Sequence, residues 1–312
     1  MKKILKHTTY CANNTNIKRN EFLKKSALGV VGGIAAGKLI ASDLESSDFE
    51  KSTFNSDAER VGYNHLPNTP TKVMENMILH RANTRGNANH GWLNSNHTFS
   101  FANYHNPERM SFGVLRVLND DHVEAGMGFG THPHNNMEII SIPLEGDLEH
   151  KDSMGNLGII KQGDVQVMSA GTGVHHSEYN KNKDRAVKFL QIWLFPNKKG
   201  VTPRYDQMSF PKADRHNKLQ QVLSPTADDE GVWIHQDAWF HLGDFEKGFQ
   251  TSYDIKKSGN GVYAFVLSGS ININGQELNT RDGLGIWNTN SLKIESTTDS
   301  EVLLMEVPME IG

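Results

Sequence analysis

What most restricts the fold of this chain is a pair of alternating motifs, His132-Pro133-His134 and His176-Ser177-Glu178, 44 positions apart in a stretch broken up by glycine. In a β-strand the side chains at i and i+2 point to the same face. His132 and His134 therefore face one way together, and so do His176 and Glu178. Between the motifs, Glu145-Gly146-Asp147, Ser153-Met154-Gly155-Asn156 and Gln162-Gly163-Asp164 read as tight turns joining short strands. If the two motif strands meet inside a small barrel, three imidazoles and one carboxylate converge on one point. That donor set suits a first-row transition metal, because imidazole binds iron, nickel, copper and zinc and the carboxylate adds charge and hardness. A lone His-x-His in a chain with 15 histidines carries little weight. Two i, i+2 pairs in one strand-rich block carry far more.

The rest of the body reads the same way. Strand candidates at 114–118, 138–142, 159–161, 165–168 and 188–194 are separated by turn signals, as in a β-sandwich or barrel. A second group follows at 263–267, 270–273 and 302–306, with a hairpin turn in Asn272-Ile273-Asn274-Gly275-Gln276. The expected organisation is a first domain over 71–210 holding the motifs and a second over 211–312 without a metal site. His235 and His241 sit among Trp233, Trp239 and Phe240 and are read as packing or surface residues.

Charge narrows the partners. Residues 1–42 carry eight Lys and Arg against one acid, whereas the remaining chain carries 24 Lys and Arg against 35 Asp and Glu. An acidic body is a poor surface for phosphate backbones, so nucleic acid is not expected as a partner. No run of 18 apolar residues is present, so no integral membrane span is expected. The one cysteine, Cys11, precludes an intrachain disulfide and leaves the compartment open.

The leader has its own character. Lys18, Arg19, Lys24 and Lys25 precede a mild apolar stretch at 26–36, a layout expected of an export signal over 1–42. Arg19-Asn20 stands where a twin-arginine pair would be, with Asn20 replacing the second arginine. The polar stretch at 43–70 reads as a linker. The bland alternative is a disordered or peripheral N-terminal helix and a cytoplasmic protein.

Gly126, five residues, His132-Pro133-His134 and then Glu138 resemble the first cupin motif. The second motif, Ser169-Ala170-Gly171-Thr172-Gly173-Val174-His175-His176-Ser177-Glu178, departs from the general cupin pattern and resembles the pirin variant with its terminal His-x-Glu. The stretches HGWLNSNHTFSFANYHNP (90–107), FGVLRVLNDDHVEAG (112–126), EHKDSMGN (149–156) and LQIWLFP (190–196) are similar to the bacterial pirin branch described as quercetin 2,3-dioxygenase. The resemblance extends over about residues 74–308. It implies an all-β bicupin, two double-stranded β-helix (jelly-roll) barrels, with His132, His134, His176 and Glu178 as metal ligands. Glu138 has no ligand role in that branch, and strand alternation turns His175 away from the metal.

The resemblance also implies a reaction, the oxygen-dependent cleavage of a flavonol such as quercetin. One divalent transition metal per chain would act as Lewis acid and template, iron first, with nickel, copper, manganese and zinc open. Glu178 would be both a ligand and the catalytic acceptor of the substrate hydroxyl proton, or a purely structural carboxylate. A planar polyphenol needs an apolar slot, for which Phe99, Phe101, Phe112, Phe129 and Trp193 are candidates. The expected partners are that small molecule and dioxygen, and the expected assembly is a monomer. Two other readings remain: a metal-binding, redox-sensing module acting through a protein partner, and a metal-dependent oxidase of another small molecule.

Overall fold

Residues 187–194 show how the sequence builds two layers at once. Leu190, Ile192 and Leu194 join one hydrophobic core, Val187 and Phe189 belong to another, and Gln191 and Trp193 share the face of Phe189. A strand covered on both sides reads as a nearly continuous apolar run, unlike the half-polar alternation of a solvent-facing strand. The computed structural model describes residues 76–312, so the expected export leader at 1–42 and the linker at 43–70 lie outside the described residues.

Val187–Leu194 is central in a seven-stranded sheet whose order is Arg204–Ser209, Asp164–Ser169, Glu138–Glu145, Val187–Leu194, Leu115–Val123, Leu93–His97, Gly86–Asn89. A four-stranded sheet, in the order Gly128–His134, Val174–Asn180, Leu148–Asp152, Leu157–Ile160, completes the first barrel. The second barrel repeats the plan. Its seven-stranded sheet runs Asn76–His80, Gly283–Trp287, Asn260–Ser268, Ser300–Pro308, Trp239–Phe245, Leu219–Ser224, Val232–Trp233, and its four-stranded sheet runs Gln250–Asp254, Ser291–Ser296, Ser270–Ile273, Gln276–Asn279. Two short 3-10 turns, Ala82–Thr84 and Lys212–Arg215, are the helical elements among the described residues. Two jelly-roll barrels in one chain make a bicupin.

The turns expected at 145–147, 153–156 and 162–164 each fall between consecutive strands. Asn274 and Gly275 link Ser270–Ile273 to Gln276–Asn279 with φ of 50° and 88°. Those left-handed values define the tight turn that an Asn-Gly pair adopts most readily. One strand crosses the expected organisation: Asn76–His80 pairs with Gly283–Trp287, so an early segment closes the sheet of the later barrel. His80 Nδ1 lies 2.9 Å from the Tyr263 hydroxyl of that barrel.

A shared core joins the barrels. Leu118, Ile140, Leu190 and Ile192 from the first sheet pack with Phe240, Tyr263, Phe265 and Leu303 from the second, all fully buried. Each such side chain contributes ~1.5–3 kcal/mol by leaving water. The interior of the second barrel is mostly apolar. Tyr253, Leu292 and Ile294 lie on its Gln250–Asp254 and Ser291–Ser296 strands, the counterparts of the two motif strands, and are buried in its core. His241 is buried on Trp239–Phe245 with its ring 4.9 Å from Tyr253. Among the described residues, no helix is long and apolar enough to cross a membrane.

Candidate metal centre

The two motifs lie on neighbouring antiparallel strands. His132 pairs with His176, and His134 pairs with Val174. The register then shifts, so that Glu178 stands opposite Phe129, which leaves Gly130 and Thr131 as the bulge. Bulges next to functional sites re-aim side chains. Here the Gly130 carbonyl lies 2.8 Å from His132 Nδ1. A carbonyl only accepts, so that nitrogen carries a proton, and in the neutral ring, the form that ligates metal, Nε2 of His132 is bare.

Gly128 opens the same strand at a close approach. A Cβ there would run into the Glu178 carbonyl oxygen and the Tyr179 Cα across the pair. Gly128→Ala should therefore push the His132 strand away from the His176 strand, costing ~1–3 kcal/mol as overpacking and weakening metal binding. Urea denaturation beside a metal titration checks both effects.

One ring nitrogen from each of His132, His134 and His176 lies within 4.8 Å of the other two. His132 Nε2 and His176 Nε2 are 3.0 Å apart. Two nitrogens each ~2.1 Å from one cation, at about a right angle, stand roughly this far apart. The donor set and its spacing thus fit a transition metal held by three imidazoles. Burial, with the neighbouring imidazoles adding to it, pushes the His176 pKa down to about 2 and that of His134 down to about 4. Both rings are therefore neutral at physiological pH, the form that ligates metal.

Glu178 stands beside this cluster in a different grouping. Its carboxylate lies within 4.8 Å of ring nitrogens of His176 and His150, and it lines the same cavity as His132 and His134. Ser141 Oγ donates to Oε1 at 2.9 Å and Gln191 Nε2 donates to Oε2 at 2.7 Å. Burial raises its pKa to about 7, opposed by those two hydrogen bonds. His175 is exposed on the opposite face of its strand. Glu138 is buried away from the imidazoles, where it accepts from Ser169 Oγ at 2.6 Å.

A cavity of about 120 Å³ opens onto the site. Phe101, Phe129 and Trp193 line it, with Trp193 edge-on to both His134 and Phe101 at ring-centroid distances of 4.9 and 5.4 Å. Phe99 and Phe112 do not reach it. Both pack on Tyr263 at 5.5 Å in the core between the barrels, because their segment turns toward the second sheet. The polar side of the cavity carries Asp121, which accepts from the Ser95 hydroxyl. Burial raises the Asp121 pKa to about 7, against that hydrogen bond and with the Asp120 and Glu178 charges adding.

Sequence reasoning missed Ser95, Asn119, Asp121, Ser141 and Gln191, which come from strands with no motif of their own. It also missed His150 and Asp152. A signal for that pair was present, since His150-Lys151-Asp152 has the same i, i+2 spacing as the two motifs.

Two jelly-roll barrels with a histidine cluster in the first define a bicupin with a candidate metal site in one barrel. The chain belongs to the pirin family: the Pirin model matches residues 79–194, and the model described as "Quercetinase C-terminal cupin domain" matches residues 221–307. Over 232 residues it is 48% identical to a protein of Escherichia coli (strain K12) named "Quercetin 2,3-dioxygenase", covering 74% of this chain and 99% of the relative. A protein of Caulobacter vibrioides named "Pirin-like protein" is 40% identical over 222 residues, 71% of this chain and 95% of its own length. Among solved structures, the bacterial pirin YhhW of Escherichia coli in complex with nickel(II) is 46% identical, with a TM-score of 0.71, covering 75% of this chain and 100% of that one.

Proposed function

We propose that this chain is a metal-dependent dioxygenase that cleaves a flavonol such as quercetin with dioxygen, using one transition metal held by His132, His134, His176 and Glu178. The observation that carries this reading is the three-imidazole cluster at the mouth of an aromatic-walled cavity. The names of the relatives supply the substrate class. A bound cation would supply Lewis acidity and a template for the reactants. Glu178, held from both oxygens by Ser141 and Gln191, is oriented to accept the proton of a substrate hydroxyl. Phe101, Phe129 and Trp193 offer flat faces to an aromatic ring and keep water from that side. Four polar atoms of the lining residues, His97 Nδ1, Asn119 Oδ1, Gln191 Oε1 and Trp193 Nε1, have no partner among the described residues, and a hydroxylated guest could satisfy them. Iron is proposed as the resident metal, while one relative of known structure was solved with nickel(II).

The cavity size favours a second reading. At about 120 Å³ it is smaller than the ~300 Å³ at the low end of pockets for drug-sized ligands. It encloses one ring of a flavonol and leaves the rest outside, or it takes a one-ring phenol or an enediol whole. An oxygen electrode separates the two. Protein loaded in turn with iron(II), nickel(II), copper(II) and manganese(II) should consume dioxygen when a flavonol is added, with loss of the flavonol's long-wavelength absorbance. Elemental analysis of protein from its own host identifies the metal. Uptake with small phenols or enediols alone would replace flavonol by a smaller substrate. No uptake with any compound would end the dioxygenase reading.

A further inference from the structure

We infer that the Asp152 carboxylate, acting through the His150 ring, fixes which nitrogen of His176 is offered to the metal. This rests on the reading that His176 is a ligand, and it assigns a role to two residues that touch neither metal nor substrate. On adjacent strands Asp152 pairs with His176, and His150 pairs with Glu178. Strand alternation turns His150 and Asp152 inward and Lys151 outward. His150 is fully buried, and His176 and Asp152 are 2% and 7% exposed.

The hydrogen bonds determine one proton arrangement. His150 Nε2 lies 3.2 Å from Asp152 Oδ2, and His150 Nδ1 lies 3.4 Å from His176 Nδ1. A carboxylate only accepts and a neutral imidazole has one N–H, so the His150 proton sits on Nε2 and its Nδ1 is bare. That bare nitrogen accepts, so the His176 proton sits on Nδ1. His176 Nε2 is then bare and faces the bare Nε2 of His132 at 3.0 Å. Two lone pairs at that distance repel unless a cation or a shared proton lies between them.

The carboxylate is itself pinned. Asp152 Oδ1 accepts from the backbone N–H groups of Met154 and Asn156 at 2.9 and 3.0 Å, and Oδ2 also accepts from Asn156 Nδ2 at 2.8 Å. The turn Ser153-Met154-Gly155-Asn156 thus holds an acceptor under His150, while the Tyr205 ring covers the imidazole at 4.7 Å. A second metal position among His150, His176 and Glu178 is disfavoured by the same contacts. The Nδ1 atoms of the two histidines are engaged with each other. Outer partners that orient a ligating histidine commonly change metal affinity by ~10–100-fold when removed.

The variant Asp152→Asn keeps volume and changes one atom. Its amide oxygen is needed by the two backbone N–H groups at the Oδ1 position, so its NH₂ faces His150. That donor drives the His150 proton to Nδ1, against the His176 N–H. The test uses the full chain, zinc(II) as probe, competition with a chromophoric chelator for affinity, and ¹⁵N NMR of the imidazoles in the zinc-loaded protein. Expected results are His150 protonated at Nε2 in the wild type, and in Asp152→Asn a ~10–100-fold loss of zinc affinity with the His150 proton moved to Nδ1. In a His150→Asn background, Asp152→Asn should cause no further loss, because the link is gone. Unchanged affinity in Asp152→Asn, or the same loss in both backgrounds, overturns the inference. So does a His150 proton on Nδ1 in the wild type, a readout that needs no variant to fold. The arm His176→Ala separates the two levels. If it binds zinc normally, the ligand reading itself fails; if it loses zinc while Asp152→Asn binds normally, only this inference fails.

Discussion

Alanine in place of His134 should yield a folded protein that holds almost no metal. His134 is one of three imidazoles whose nitrogens lie within 4.8 Å of one another, and removing it leaves two. The loss of affinity should exceed the ~10–100-fold that removal of a supporting contact costs, and oxygen uptake should fall to background. The fold should survive because His134 is half-buried at the barrel mouth and its main ring neighbours are Trp193 and the other two histidines of the cluster. Losing one such aromatic contact costs ~0.5–1.5 kcal/mol. His235→Ala is the matched control: His235 lies against Trp233 at 4.9 Å, away from the cluster, and should keep both metal and activity. Elemental analysis and a thermal melt of the two variants decide the matter. Full metal content in His134→Ala would remove this histidine from the site.

The reverse pattern is expected from Glu306→Ala, which should unfold easily and still bind metal. Glu306 is fully buried in the second barrel. Its carboxylate accepts from the Tyr253 hydroxyl at 2.7 Å, the Lys256 and Lys257 backbone N–H groups at 2.9 and 3.0 Å, and Asn260 Nδ2 at 3.0 Å. Alanine strands four donors, of which the Tyr253 and Asn260 side chains belong to buried residues. Each buried donor left unpaired costs ~1–3 kcal/mol. Partial rescue by water reduces the sum, so a loss of ~3–5 kcal/mol is expected. For a domain of this size that lowers the melting temperature by on the order of 10 °C. Glu306→Gln keeps the shape and one acceptor and should fall between. Urea denaturation of metal-loaded protein measures both. A cost under ~1 kcal/mol for alanine would mean that water replaces the carboxylate.

These two residues also show why only one barrel carries the imidazole cluster. Both barrels present a pair of adjacent strands at the same place in the fold, Gly128–His134 with Val174–Asn180 and Gln250–Asp254 with Ser291–Ser296. In the first pair the inward positions are histidines and a glutamate. In the second they include Tyr253, Leu292 and Ile294, which bury one another. Glu306, a fully buried acid of that barrel, is saturated by its four donors.

The sequence by itself determined what the local chain dictates. The i, i+2 spacing put His132 with His134 and His176 with Glu178, and put His175 on the outer face, because alternation is a property of any extended backbone. The glycine and asparagine turns marked where strands end, because few other residues adopt left-handed φ at low cost. The tertiary structure alone decided which distant strands meet and what stands behind them. It placed Phe99 and Phe112 between the barrels while Phe101, Phe129 and Trp193 reached the cavity. It sent Asn76–His80 to the sheet of the later barrel. It set His150 and Asp152 beneath His176, with Ser141 and Gln191 under Glu178. The physical reason is range. Side-chain alternation is fixed by neighbouring dihedral angles, whereas strand pairing across tens of residues is settled by the burial and hydrogen bonding of the whole chain.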